Sequence, residues 1–341
     1  MVSTVTTTST TDRSRRPDLS VWHGEGEYSY AEVKRWAPLT EESFTPLSRG
    51  PNDARGTIVS SGDVSIFDAI MQGRSIGVSV VDPAYLAFVL PVSHEGEYVL
   101  NGEAIPVSGI YMLVRAEPLY VRGGDRRTLG ILLPAKRFVE TVAALTGVAE
   151  DSLRLSCGLL RLPTVAAQAT RDRLLAIRAM SCLPAAGTGA RRVADDVLDA
   201  VIDAFLRAGS IPDPRVRRSA RLAGMVRRAE DRFVAAGARV SLADLCQAAG
   251  VGSTALYEAF ERVCGESPLA YLRKRQLMRA RLSLMRADQH HGAVKRAALD
   301  AGLTHLGRFA LEYRELFGES PSTTLTSTRS CPPGTRTDSS A

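Results

Sequence analysis

The chain has 341 residues, 45% hydrophobic and 23% charged, the balance of a soluble globular protein with room for two ordinary domains. No run of about 18 apolar residues exists, so no helix should span a membrane, and the polar N-terminus "MVSTVTTTSTTDRSRRPDLS" lacks an apolar signal core, so a cytoplasmic protein is expected. The net charge of +6 is unevenly placed, +9 in residues 215–329 and −3 elsewhere, a footprint that suits a polyanion, although arginine makes up 39 of the 43 basic residues, a bias that a GC-rich genome also produces.

Residues 1–20 read as a disordered tail. From about Thr57 to Pro134, short aliphatic and β-branched runs such as "SIGVSVVD", "YLAFVLPVS" and "TLGILLP" alternate with turn signals every 8 to 12 residues, which predicts an antiparallel sandwich or small barrel. Asn101-Gly102 is the strongest hairpin signal, because a two-residue type I′ turn needs positive φ at both positions. One histidine, His94, lies in this region. A metal site of several histidines and a carboxylate therefore has no ligand set here, and His290-His291 fall far downstream. No P-loop, nucleophile elbow or dinucleotide fingerprint is present, so no catalytic residue, cofactor or metal is assigned and no enzyme is expected. The five cysteines (Cys157, Cys182, Cys246, Cys264, Cys331) are scattered without a C-x-x-C pair and read as buried or idle thiols.

After Pro134 the periodicity becomes helical, in "AKRFVETVAALTG", "AAQATRDRLLAIRAMSCL" and "ARRVADDVLDAVIDAFLRAG". In the last of these Val193, Val197, Val201 and Phe205 form a stripe that must be covered. Either it packs on its own β domain or it forms a dimer. The two prolines of "GSIPDP", residues 209–214, stop any helix and mark a domain boundary.

The C-terminal third repeats itself. Gly265-Glu266-Ser267-Pro268 returns as Gly318-Glu319-Ser320-Pro321, 53 residues later; Leu256 is answered by Phe309 and Phe260 by Tyr313 at the same offset. A unit of about fifty residues has been used twice. In each copy a short amphipathic helix (Leu242 to Ala249; Val294 to Ala301) meets a glycine turn and then a second helix carrying the aromatic pair, the construction of a helix-turn-helix whose second helix suits a major groove. Ser253 and Thr304 are the expected caps of these second helices. Between the copies Ser267-Pro268 starts a helix of about 18 residues, or roughly 27 Å, enough to hold two recognition helices about one DNA turn apart. Its cations Arg273, Lys274, Arg275, Arg279 and Arg281 read either as a solvated face or as phosphate contacts.

The stretches "LADLCQAAGVGSTALYEAFERVCGESPLAYLRKRQLMRARLSL" and "AALDAGLTHLGRFALEYRELFGESPSTTL" resemble the AraC/XylS family of transcriptional regulators, and "HLGRFALEYRELFGESPSTTL" looks most like the XylS subgroup. The resemblance covers about residues 222–325. It implies an α+β chain: an N-terminal cupin-like antiparallel β domain for sensing or dimerisation (21–165), a helical dimerisation and linker region (166–212), a DNA-binding domain (213–325) with helix-turn-helix units at about 242–262 and 294–317, and a disordered tail (326–341). The family's base-reading positions fall on Thr254, Tyr257 and Glu258 in the first unit, with Ser253 beside them as a further DNA-binding residue, and around His305, Arg308 and Leu311 in the second. Arg308 suits the two acceptors of guanine. Glu258 stands where relatives carry Arg or Asn, so it either accepts from cytosine or stays out of the groove. Leu311 meets a thymine methyl or packs; His305 donates to a phosphate or caps its helix. The implied partners are double-stranded DNA at two adjacent half-sites, RNA polymerase, a second copy of the chain and a small effector, of aromatic kind if the XylS subgroup is the guide, in an activator. The alternative is an effector-independent DNA-binding protein whose β domain only dimerises or binds a partner.

Overall fold

A computed structural model describes residues 19–25, 37–49, 53–114, 117–153, 155–160, 162–181, 190–208, 214–236, 240–288, 290, 292–327 and 335–338. The expectations for residues 1–18, for the boundary at 209–213, and for Cys182, His291 and Cys331 lie outside these.

The N-terminal half is the antiparallel β domain that the turn spacing predicts. Its strands are β1 (Leu19–Glu25), β2 (Leu39–Pro46), β3 (Ala54–Ser61), β4 (Val64–Met71), β5 (Ser75–Val81), β6 (Tyr85–His94), β7 (Tyr98–Leu100), β8 (Glu103–Ala104), β9 (Ile110–Val114), β10 (Pro118–Gly123) and β11 (Arg126–Pro134). With β12 (Gly158–Leu160) and β13 (Thr335–Asp338) they make an eight-stranded sheet, β12-β9-β6-β11-β4-β3-β1-β13, and a five-stranded sheet, β2-β5-β10-β7-β8. β13 pairs with β1, so the tail expected to be disordered from 326 onward contributes a strand; backbone pairing to an open sheet edge supplies order that its polar composition does not advertise. Asn101 (φ 48°) and Gly102 (φ 83°) make the predicted tight turn, placing Leu100 opposite Glu103.

Strict alternation along the strands divides the apolar residues between layers. Val89, Leu113, Leu119 and Leu132 pack between the two sheets. Phe88, Leu129, Ile131 and Leu133 face the other way, toward the helices α1 (Ala135–Thr146), α2 (Thr164–Ser181) and α3 (Ala190–Ala208). Phe138 of α1 lies edge-on to Phe205 of α3 with ring centroids 5.2 Å apart, an arrangement that adds about 0.5–1.5 kcal/mol to simple burial. Of the stripe, Val197, Val201 and Phe205 are buried in this cluster and Val193 is half-buried. Of the stripe's two readings, packing on the chain's own β domain is the one observed.

The C-terminal half is helical: α4 (Pro214–Ala236), α5 (Leu242–Ala249), α6 (Ser253–Cys264), α7 (Pro268–Arg286), α8 (Ala293–Asp300), α9 (Leu306–Phe317) and α10 (Pro321–Ser327). The chain is thus α+β, with antiparallel sheets first and helices after. Two cores form here. One joins α4, α5, α6 and the start of α7 through Val226, Leu245, Leu256, Phe260 and Leu272; the other joins the end of α7 to α8 and α9 through Leu284, Ala298, Phe309 and Tyr313. The first core also takes in Leu47, Ile76, Val78 and Tyr120 from the β domain. No helix among the described residues is long and apolar enough to cross a membrane.

Candidate nucleic-acid interface

The first helix-turn-helix is built by reciprocal capping and glycine punctuation. Ser241 Oγ accepts the Asp244 amide at 3.2 Å while the Asp244 carboxylate accepts the Ser241 amide at 2.9 Å, a capping box that starts α5. Those bonds hold the Asp244 carboxyl below its usual pKa. Gly250, in the left-handed region at φ 69°, ends α5. α6 then begins at Ser253 with Gly252 as its N-cap and no side-chain cap bond. The expected capping by Ser253 is not made, because Ser253 already occupies the first helical position. The same holds in the second unit, where His305, not Thr304, is the N-cap of α9, again without a side-chain bond.

Leu256 and Phe260 are fully buried, as are Phe309 and Tyr313, which turns the opposite faces of α6 and α9 outward. Ser253, Thr254, Tyr257 and Glu258 are all exposed on α6, and His305, Arg308 and Leu311 are exposed at the start of α9. Each set therefore forms one open surface. Leu311 is 61% exposed, so packing within the fold is not its role.

Glu258 does not stand alone. Its Oε1 lies 2.9 Å from Arg218 Nη2 of α4 and 3.2 Å from Arg262 Nε one turn along, so this carboxylate balances two cations at the edge of the surface. Arg308 is braced in a different way. Its Nε donates to Glu312 Oε1 at 2.7 Å, and Glu312 Oε2 accepts from Arg273 Nε of α7 at 2.7 Å. Burial alone would raise the Glu312 pKa, but the hydrogen bonds from Arg308 and Arg273 outweigh it and hold the carboxyl below its usual value. Nε is bonded and the side chain is 72% exposed; the two terminal nitrogens of a guanidinium form a fork that matches guanine O6 and N7.

The connecting helix behaves differently from either sequence reading. Of the cations Arg273, Lys274, Arg275, Arg279 and Arg281, four are struts. Arg273 holds Glu312; Lys274 donates to the Leu47 carbonyl and to Glu266; Arg275 Nη1 pairs with Glu230 Oε1 at 2.6 Å; Arg281 reaches Glu319 at 2.6 Å and covers the Phe317 ring at 4.6 Å. Arg279 remains exposed. The repeated Gly-Glu-Ser-Pro gains a second use from this. Gly265 (φ 70°) and Gly318 (φ 77°) close the recognition helices, while Glu266 and Glu319 each grip one cation of α7.

The first unit is fastened to the five-stranded sheet by polar groups that the sequence did not mark. Tyr120 Oη donates to Glu230 Oε2 at 2.6 Å, and Glu230, only 1% exposed, is the residue that also pairs with Arg275. Burial, with the Glu230 charge added, pushes the Tyr120 and Tyr271 hydroxyls well above their usual pKa. Arg122 donates to the Arg262 carbonyl and Arg74 to the Gly265 carbonyl, both at 3.3 Å, so two guanidinia of the β domain cap the C-terminus of α6. Contacts between residues more than a hundred positions apart leave no local pattern to read; the Arg308–Glu312 pair, four residues apart on a helix, does.

Between the sheets lies a largely apolar, partly open cavity lined by residues of both sheets that include Leu39, Phe67, Val81, Val89, Leu119 and Val121, with Glu42, Ser79, Arg126 and Thr128 as polar members. The Arg126 guanidinium is bound to Ser75 Oγ and to the Gly123 and Gly124 carbonyls. His94 Nδ1 lies 2.9 Å from the Gly96 carbonyl.

Residues 245–327 match a protein-family model described as a helix-turn-helix domain. Over 86 residues the chain is 41% identical to the XylDLEGF operon transcriptional activator 2 of Pseudomonas putida, covering 25% of this chain and 55% of that protein. Over 88 residues it is 44% identical to a XylDLEGF operon transcriptional activator 1 of the same organism, covering 25% and 26%. The chain thus spans about half the length of the first of these relatives and about a quarter of the second. Among solved structures, that of the AraC-like transcriptional activator CuxR is similar over 83% of this chain and 99% of its own, at 14% identity and a TM-score of 0.40.

Proposed function

We propose that the whole chain, whose residues 245–327 match a helix-turn-helix domain model and are similar to the XylDLEGF operon activators, is a sequence-specific DNA-binding transcription regulator of the AraC/XylS type, acting as an activator. The observation that carries this reading is the pair of open recognition surfaces, Ser253 to Glu258 and His305 to Leu311, on two units of the same construction held by one helix. α7 has 19 residues, roughly 28 Å at 1.5 Å each, so the two surfaces suit major-groove segments about one turn apart on one face of a duplex. Arg308 reads guanine. Leu311 meets a thymine methyl. Thr254 and Tyr257 read or flank the other half-site, and Ser253 and His305 serve the backbone. Glu258 acts by holding Arg218 and Arg262 for phosphates rather than by entering the groove.

In this reading residues 213–325 bind DNA, residues 21–165 sense a small effector in the inter-sheet cavity, and the helices of 166–212 complete the sensing domain while leaving outer faces for a second copy. RNA polymerase is the partner an activator requires, and the cytoplasm its place of work. Enrichment from a random duplex library at moderate salt tests the DNA reading: a common bipartite sequence is expected, and recovery of no shared sequence overturns it. Thermal unfolding titrated with small aromatic compounds tests the effector reading, because a ligand selective for the folded state must raise the midpoint. A midpoint indifferent to every compound favours a β domain that only dimerises.

A further inference from the structure

The five-stranded sheet is a single layer whose two faces serve different neighbours. In β10, Leu119 and Val121 line the cavity, whereas Tyr120 between them bonds Glu230 of α4 and Arg122 bonds the Arg262 carbonyl of α6. In β5, Ser79 and Val81 line the cavity, while Ile76 and Val78 lie in the core of the first helix-turn-helix. In β2, Leu39 and Glu42 line the cavity, and Glu41 pairs with Arg227 of α4 at 2.6 Å while Ser43 accepts from Arg275 of α7. An irregularity in register between Leu39 and Glu41 puts Leu39 and Glu42 on one face, which their odd separation would otherwise forbid.

We infer that this sheet is the transmission element between the cavity and the DNA-binding half, and that it acts more strongly on the first helix-turn-helix than on the second. The inference rests on the reading of the cavity as an effector site. Adjacent residues of one strand share a backbone, so a displacement imposed on Val121 is imposed on Tyr120 and Arg122 as well. Close-packed interiors have low compressibility and pass strain on rather than absorb it. The outward residues meet α6 at its core and at its last carbonyls. Among the described residues the second unit is held more lightly: its core contains no residue of either sheet, and it reaches the sheets at Phe317, which with Leu282 of α7 packs against the small cluster of Phe44, Ala54, Met71 and Met278, Met71 also lining the cavity. Whatever fills the cavity therefore changes the angle of α6 relative to α9, and with it the half-site spacing that fits. A ligand exerts this control only as far as it distinguishes the two arrangements.

The test fills the cavity from the opposite wall, leaving the transmitting sheet unchanged in sequence. Ala69 of β4 and Ala87 of β6 line it from the eight-stranded sheet, and Ala69→Leu and Ala87→Val each add bulk there; the wild-type chain in benzene-saturated buffer supplies occupancy without substitution, since apolar cavities take up benzene. Hydrogen exchange of the full chain is followed in residues 253–265 and 306–318. The expected result is a change of about tenfold in the exchange of the first segment with a smaller change in the second, and loss of the larger response when Tyr120→Phe is added. Equal changes in both segments overturn the inference, as does a change confined to the cavity-lining strands or no change at all. Because the substitutions occupy the cavity by themselves, such a failure leaves the effector reading to its own titration.

Discussion

Tyr120 donates a 2.6 Å hydrogen bond to Glu230, 110 residues further along the chain, at a point where neither group meets solvent. Glu230 is held at its other oxygen by Arg275, so a tyrosine of the β domain, an acid of α4 and a base of α7 form one buried network. Replacing Glu230 by Ala takes from Arg275 its nearest carboxylate and leaves it Ser43 at 3.3 Å and Glu41 at 3.8 Å, and a loss of up to about 3–5 kcal/mol is expected in urea unfolding. Tyr120→Phe removes one donor and leaves the ion pair, for a smaller loss of about 1–3 kcal/mol. Equal losses, or losses below about 0.5 kcal/mol such as surface changes give, would show that the network does not join the two halves.

Arg308→Ala is expected to weaken binding to a selected site by about 1–3 kcal/mol and to relax preference at one base pair. Glu312→Gln keeps the side-chain shape but weakens the brace on Arg308 and Arg273. It should lower discrimination at that same base pair while leaving affinity for random DNA nearly unchanged. Competition binding over the four bases at the affected position checks both. A uniform fall on all sequences would make Arg308 a phosphate contact and Glu312 merely a neighbour.

Glu258→Gln releases Arg218 and Arg262 from their shared carboxylate. If these cations stand ready for phosphates, affinity for random duplex should rise, and the slope of log K against log salt should steepen by up to about 0.9 for each added contact. Fluorescence anisotropy across a salt series measures this. A lower affinity confined to one sequence would instead place Glu258 against cytosine.

Tyr98 is buried and bonded to Thr128 Oγ1 at 2.9 Å, and burial pushes its hydroxyl from 10.0 up to about 12. A group whose pKa is higher folded than unfolded lends stability that is complete below the unfolded value and lost as pH rises through the folded one. Stability should therefore fall between about pH 10 and pH 12, by about 2–3 kcal/mol from this residue. Chemical denaturation across that range should be flatter in Tyr98→Phe than in wild type; an unchanged slope would remove Tyr98 as a cause.

The parts of the fold legible in the sequence are those with a local cause. Asn101-Gly102 announced its turn because the backbone there needs positive φ, and the twofold Gly-Glu-Ser-Pro announced a repeated unit because each copy needs the same left-handed stop. The stripe on α3 gave its existence but not its cover: periodicity tells which residues avoid water, not which surface meets them. The cations of α7 read as a solvated or DNA-facing surface for the same reason, since their partners Glu230, Glu312 and Glu319 lie outside that helix. Caps failed by one residue at Ser253 and Thr304, where a glycine and a histidine take the position without a side-chain bond. The Tyr120–Glu230 link and the guanidinium caps from Arg74 and Arg122 had no signature at all, because each joins segments brought together only by folding.

Hydroxyl-radical and methylation footprinting of the full-length protein on an enriched duplex tests the central claim most directly. Two protected major-groove segments on one face of the helix, centred about 10–10.5 base pairs apart, are predicted, with protection of one segment alone diminished by Arg308→Ala. A single protected segment, or even protection along the duplex that Arg308→Ala leaves unaltered, would contradict recognition by two helix-turn-helix units.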